Sequence, residues 1–472
     1  MNSRVALIQT LTLPTRCLIG VLAVNFVIAT FLHPELQAQT VSNVYSFPAN
    51  SASEQPELVT PVQGPDAELY LTTAGVSPSV GSVFQLQMNG TGSQLYAFDT
   101  THGATPVAGL TLATDGNYYG VTEAGGTKKF GVLFKITSDG SYTVLHNFLG
   151  GADGATPTGP PIEASDGNLY GTTKGRPNVA STVYEYASTG TFSTIYQFSG
   201  LGQNVIAPLI QGSDGNLYGT SENGGTNACG SLFKITTAGA VLETYNFPCG
   251  SGGSLPVDPL LQASDGNFYG TAKAGGTQGN GIVFKWDQQG NFTILHDFAG
   301  GSDGLTPFAG LVQATDGNLY GTAGGGGVYK SGTLYKIAPD GTYTVLYSFS
   351  QKTVGREPKG ALLQHTNGTL YGTTKSGGAS NFGTVYSVGL GLSPFIAFVQ
   401  PTGAVGQTAQ ILGTGLTGAT SVTFNGFGAT SFTVVSDTFM TAVVPAGATT
   451  GPVVVTTPTA ALTSNVSFRI SN

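Results

Sequence analysis

One turn motif recurs seven times along this chain at a nearly constant spacing, and that constrains the fold more than any other feature. Asp-Gly-Asn followed by Leu or an aromatic residue, Tyr, Gly and usually Thr begins at Asp115, Asp166, Asp214, Asp265 and Asp316. Degenerate copies begin at Asp66 (DAELYLT) and Asn367 (NGTLYGT), and the intervals are 49, 51, 48, 51, 51 and 51 residues. A fixed period of this length marks a supersecondary unit that cannot bury its apolar faces alone and must stack on its neighbours. The 71 glycines, abundant Tyr and Phe and only 9% charged residues fit many short strands joined by tight turns.

Each unit contains four strand-like runs, which we label A to D from the central axis outward. In the third unit they are PIEAS (161–165), NLYGTT (168–173), STVYEYA (181–187) and FSTIYQF (192–198). Four strands per 50 residues describe one blade of a propeller, and the Asp-Gly between A and B supplies the positive φ angles of a tight hairpin. Runs A, B and C occur seven times, but no D run follows the last copy. The missing strand stands at the other end, where VYSF (44–47) matches LYSF (346–349). The pattern predicts an all-β, seven-bladed β-propeller whose last blade takes its outermost strand from the N-terminal end, which removes the open edge.

The first residues carry Arg4 and Arg16, an apolar stretch from Cys17 to Leu32 and a small residue at Ala38. This reads as a secretion signal over 1–38 cleaved near Ala38, so a secreted or envelope-associated protein is expected, with no membrane insertion of the mature chain. The whole chain has 17 basic and 25 acidic residues; losing Arg4, Arg16 and Glu35 leaves 15 and 24, a net charge of −9. That balance argues against nucleic acid as a partner. Of the three cysteines, Cys229 and Cys249 follow the signal. With a C–D turn near Thr237 to Ala240, strand pairing brings them opposite each other, so a disulfide is expected.

The DGNLYGT, GGT and GTVFKI-like blocks resemble the GloVer tandem repeat of exported bacterial choice-of-anchor proteins, over about Val44 to Val388. The resemblance implies a surface or secreted location and little about chemistry. From Pro394 onward, PFIAFVQPTGAVGQTAQILGTGL and SVTFNGFGATSFTVVSDTFMTAVVPAGATTGPVVVTT resemble an IPT/TIG domain, which implies an immunoglobulin-like sandwich acting as a spacer or interaction module. The expected organisation is a signal over 1–38, a propeller over 40–388, a linker over 389–394 and an immunoglobulin-like domain over 395–472.

Repeat positions can be weighed against one another. His146 and His296 occupy a D-run position filled by Tyr45, Tyr96, Tyr196, Tyr245 and Tyr347 elsewhere, so both read as packing residues. His102 and His365 match no metal-ligand spacing. The DGN carboxylates are too few per turn for calcium, so they read as turn formers. No metal site and no cofactor are expected.

Strand direction puts the long B–C and D–A loops on one face, the default binding surface of a rigid scaffold. Lys128, Phe130, Arg176, Tyr329, Lys330, Arg356, Lys375 and Phe382 map there as candidate ligand residues, with Lys129 beside them. Asp153, Asp303, Glu123 and Glu222 are scattered, with no paired carboxylates, His cluster or nucleophile signature. The expectation is a monomeric, non-enzymatic binding scaffold for a glycan or protein ligand. The alternatives are a secreted propeller lyase or hydrolase, and a structural envelope component. Similar DGN-like turns occur in streptogramin-opening propeller lyases, but the loops here lack the histidines that such a lyase reading needs.

Overall fold

The computed structural model describes residues 39–49, 55–75, 77, 79–199 and 204–471; the expected secretion signal lies outside them. Among the described residues there is no α-helix, and the repeats form seven consecutive four-stranded antiparallel sheets. The first pairs Val62–Gln63, Leu69–Thr73, Ser82–Leu86 and Gly92–Ala97 in chain order. The seventh pairs Leu363–Gln364, Leu370–Thr374 and Thr384–Gly389, and its outer strand is Thr40–Ser46. That strand runs antiparallel to the C strand, from Thr40 opposite Gly389 to Ser46 opposite Thr384. Phe47 then donates its N–H to the Gly383 carbonyl at 3.1 Å, as Phe349 does to Gly332 within the sixth sheet, and its ring is fully buried.

The repeated motif is explained residue by residue. In each turn the Asp Oδ1 accepts the backbone N–H two residues on. In sheets one to six the Asp Oδ2 accepts the hydroxyl of the motif Tyr, at 2.7 to 2.8 Å. The turn is thereby tied to the strand it starts. The Gly after the Tyr makes room for the aromatic ring of strand C: a Cβ on Gly270 would lie 2.6 Å from Cζ of Phe284. The outer strands stack ring on ring between neighbouring sheets, Tyr96 on Tyr142, His146 on Phe192, Tyr245 on Phe292 and His296 on Tyr343. The two histidines are therefore packing residues, and their Nε2 atoms meet Asp153 and Asp303.

Neighbouring sheets are joined by a second ring of contacts at the A–B turns. The side chain at the end of strand A accepts an N–H from the preceding turn: Glu163 from Thr114, Gln211 from Ser165, Gln262 from Ser213, Gln313 from Ser264 and Gln364 from Thr315. Gln63 accepts from Thr366 at 2.9 Å, so the seventh sheet is bonded to the first as the others are to one another. His365 lies on the same seam, where its Nε2 donates to the Ala67 carbonyl at 2.9 Å and its Nδ1 accepts the Asn367 N–H. The result is a repeat protein with propeller-like architecture.

The second sheet alone breaks this ring, with Leu112 in place of Gln or Glu, and the C-terminal segment explains it. Residues 395–471 form two four-stranded sheets around one core that includes Ile411, Val422, Phe424, Met440, Val453 and Phe468. Leu112 shares an apolar cluster with Leu412, Val399 and Phe439 of that segment. Around it Gln410 Nε2 donates to the Thr114 carbonyl, Gln400 Nε2 to Glu163, Thr438 to Pro65, and the Thr366 hydroxyl to Gly413. The C-terminal sheets thus dock on the A–B turn face and belong to the same compact unit as the repeats. They are not held away from it as a spacer, because Leu112 at the facing turn packs with Val399, Leu412 and Phe439.

Candidate functional site

The opposite face opens into a channel of about 540 Å³ lined by the loops that lead into strand A. In every repeat one residue of this loop has a left-handed backbone: Gln55, Thr105, Thr156, Asn204, Leu255, Thr306 and Glu357, with φ between 50° and 61°. Six of the seven precede a proline. Such a conformation costs an L residue about 1–2 kcal/mol. It persists because the residue's carbonyl accepts, at 3.0 to 3.1 Å, the N–H of the residue that follows strand B. That next residue is thereby placed at the channel mouth.

Around the mouth these positions read Ala74, Glu123, Lys174, Glu222, Lys273, Gly324 and Lys375. Charges alternate over four consecutive sheets. Lys273 pairs with Glu222, and Lys375 pairs with Glu57 at 2.6 Å, where Lys359 also approaches Glu57 and Glu357 at 3.7 and 3.5 Å. Both Lys273 and Lys359 lie over the Phe308 ring. Glu123 and Lys174, in the second and third sheets, make no ion pair among the described residues. They line both the channel and an adjoining rim groove of about 670 Å³ that also holds Thr156, Arg176, Asn178 and Asn204.

Deeper in the channel stands a single departure from the repeat. Where the other units carry Leu58, Ala108, Gly159, Ala207, Ala309 and Gly360, the fifth carries Asp258. It is 8% exposed and its Oδ2 accepts the Thr271 hydroxyl at 2.9 Å. Burial pushes its carboxyl well above the usual carboxylate range, against the lowering effects of that bond and of the Lys273 charge. A carboxyl held in this way takes up a proton more readily than a free one, and in its protonated form it can donate a hydrogen bond or a proton.

The residues expected from the sequence are distributed differently. Arg176 and Phe130 come together, with the guanidinium 5.1 Å from the ring centroid and its Nε bonded to Thr156 Oγ1 at 2.8 Å. Lys375 faces the mouth but is paired. Arg356 is tied to Ser376, and Phe382 packs in the cluster of Phe47 and Val59. Tyr329 and Lys330 form a separate exposed tip, and Lys128 is exposed on its own loop. Sequence reasoning missed Lys174, Asp258, Lys273, Glu57 and Lys359. Aligning the residue after each B run and the first and second residues after each loop proline would have isolated them. Cys229 and Cys249 form a disulfide, with Cα atoms 5.5 Å apart, that braces one of these loops.

The fold and its open mouth define a repeat protein of the β-propeller-like class. Within that class the chain belongs to the Gloeobacter/Verrucomicrobia repeat family, which it matches over residues 30–211 and 205–435. No curated protein matches the sequence. The structure is similar to a periplasmic gluconolactonase of Pseudomonas aeruginosa, at 19% identity over 68% of this chain and 95% of that one, with a TM-score of 0.45. It is also similar to an auxiliary nutrient binding protein of Bacteroides ovatus, at 12% identity over 74% and 76%, with a TM-score of 0.42. The expectation of a non-enzymatic protein is corrected by this finding, since the similar structures include an enzyme beside a binding protein. Among the described residues no helix is long and apolar enough to cross a membrane.

Proposed function

We propose that this is an exported seven-bladed propeller, closed by its first strand and covered at the DGN end by an IPT/TIG-like domain. In this reading it binds a small ligand in the open mouth of its channel. The observation that carries it is the contrast between the ends: the A–B turn face is occupied by the C-terminal sheets, while the other leads into a volume typical of small-molecule sites. The disulfide supports export. The test is a thermal-shift screen of sugars, organic acids, amino acids and nucleosides against the protein and an Ala207→Phe variant that fills the channel wall. Compounds that raise the melting temperature of the first but not the second support the reading. A screen in which no compound separates the two would sink it.

A hydrolytic reading is favoured by one observation, the Asp258 carboxyl buried in the channel wall, where burial raises its hold on a proton that it could pass to a leaving group. Product release from an ester or lactone panel, lost in Asp258→Asn with binding retained, is its expected signature. Equal turnover by the two proteins would remove it.

A further inference from the structure

Resting on the channel-binding reading, we infer that the ligand is an amphipathic anion, with an apolar body in the channel and a carboxylate-like head at Lys174 and Arg176. The wall is the first argument. Leu58, Val107, Ile206 and Val257, with the rings of Pro160 and Pro208, make most of it apolar, and no aromatic ring among the described residues lines it. A sugar would therefore find few hydrogen-bond partners and no ring to stack on, whereas an alkyl or aryl body would lose water-exposed apolar surface on entry.

The charge balance at the mouth is the second argument. The cations of the fifth and seventh sheets are neutralised by Glu222 and Glu57. Lys174 has no such partner among the described residues, and it stands where the apolar channel meets the rim groove. Beside it, Arg176 is held by Phe130 and by its Nε bond to Thr156, which leaves its terminal nitrogens without partners among the described residues. A planar guanidinium held in one orientation next to an ammonium suits a carboxylate. With Glu123 the groove carries two positive charges and one negative, so an anion is favoured there.

Isothermal titration calorimetry of the full chain with straight-chain carboxylates from butyrate to octanoate, and with the matching primary alcohols, tests this. Affinity is expected to rise about fourfold per methylene until the channel is filled. Each acid should bind at least tenfold more tightly than its alcohol. Lys174→Gln should shrink that preference and Lys174→Gln with Arg176→Gln should remove it, and Glu123→Gln should strengthen acid binding two- to threefold. Alcohols binding as tightly as acids, or an acid preference that survives the double variant, would overturn the inference. If sugars or other neutral compounds occupy the channel instead, the ligand class falls and the channel reading stands. If no compound of any class binds, both fall.

Discussion

The two ends of the channel are built from the same seven repeats, yet one is nearly uniform in its side chains and the other varies in charge and size from repeat to repeat. On the A–B turn face the Tyr–Asp bond occurs in six repeats, the seventh having Asn367, and the strand-A side-chain bridge occurs at six seams, the seventh having Leu112, which faces the C-terminal sheets. On the opposite face the backbone is equally regular, with a left-handed residue in all seven loops, but the side chains it presents run from Gly324 to Lys174. Repetition of side chains therefore marks the face that holds the ring together. Repetition of backbone alone marks the face left free to vary, which is where a ligand site is expected.

The comparison breaks most readily at ring closure. Removing Thr40 to Phe47 would leave the strand Thr384–Gly389 as an open edge and expose the pocket that Phe47 fills, so unfolding should become easier by several kcal/mol. Phe47→Ala alone should cost about 3–5 kcal/mol. Urea unfolding of both variants measures this, and an unchanged midpoint would show that closure does not depend on the strand. The loop face has its own brace in the disulfide. Replacing Cys229 and Cys249 by Ser should cost about 3 kcal/mol for a bridge spanning 20 residues. Enhanced proteolysis confined to the loops around residues 222–230 and 247–256 would place that loss on this face.

What was legible in the sequence follows the same division. The DGN turns, the four strands per unit and the closing VYSF strand could be read because each repeats a pattern set by local geometry. The exchange of Leu112 for Gln was visible as well, but its reason lies in Leu412 and Phe439, some 300 residues away, which no local pattern connects. The candidate ligand residues were chosen by charge and exposure along the loops, and that criterion selects tips such as Tyr329 and Lys330. The mouth is made by residues at strand ends, whose direction depends on the left-handed residue of the same unit's entry loop. Lys174 was hidden for that reason, whereas Asp258, on the entry loop itself, was a visible departure at its aligned position.

Asp258 sharpens the comparison further, because it is a polar group in an otherwise apolar position. Its carboxyl is held above the unfolded value of about 3.9, so the folded state keeps a proton that the unfolded chain loses. Stability should therefore fall as pH rises from about 4 toward the folded pKa, and Asp258→Asn should abolish that slope. The variant should match the wild type near pH 4 and exceed it by about 1–3 kcal/mol at neutral pH, the usual cost of a poorly satisfied buried polar group. Parallel melting curves between pH 4 and 8 at low salt measure the difference. A wild type as stable as the variant at pH 7 would mean that Asp258 is fully accommodated by Thr271 and Lys273, and is then a structural residue.

The smallest effect tests whether the uniform face is stabilised repeat by repeat. In the fifth sheet Tyr269 donates to Asp265 at 2.8 Å; against the raising effect of burial, the side-chain and backbone N–H groups of Asn267, then this hydroxyl and the Lys285 charge, hold that carboxyl below its ordinary value. In the seventh sheet Asn367 replaces the Asp, and its Nδ2 reaches the Tyr371 hydroxyl only at 3.4 Å. Both tyrosine rings are buried, so replacement by Phe keeps the packing and removes only the hydroxyl. Tyr269→Phe should cost about 1 kcal/mol, the net value of one intramolecular hydrogen bond, and Tyr371→Phe should cost close to nothing. Because the ionised Asp265 carboxylate is a stronger acceptor for the hydroxyl than the protonated acid, the cost of Tyr269→Phe should shrink as pH falls below about 4, while Tyr371→Phe should be flat. Equal losses in the two variants would mean that the hydroxyl acts through something other than the turn carboxylate, and the seventh repeat would then be held as the others are.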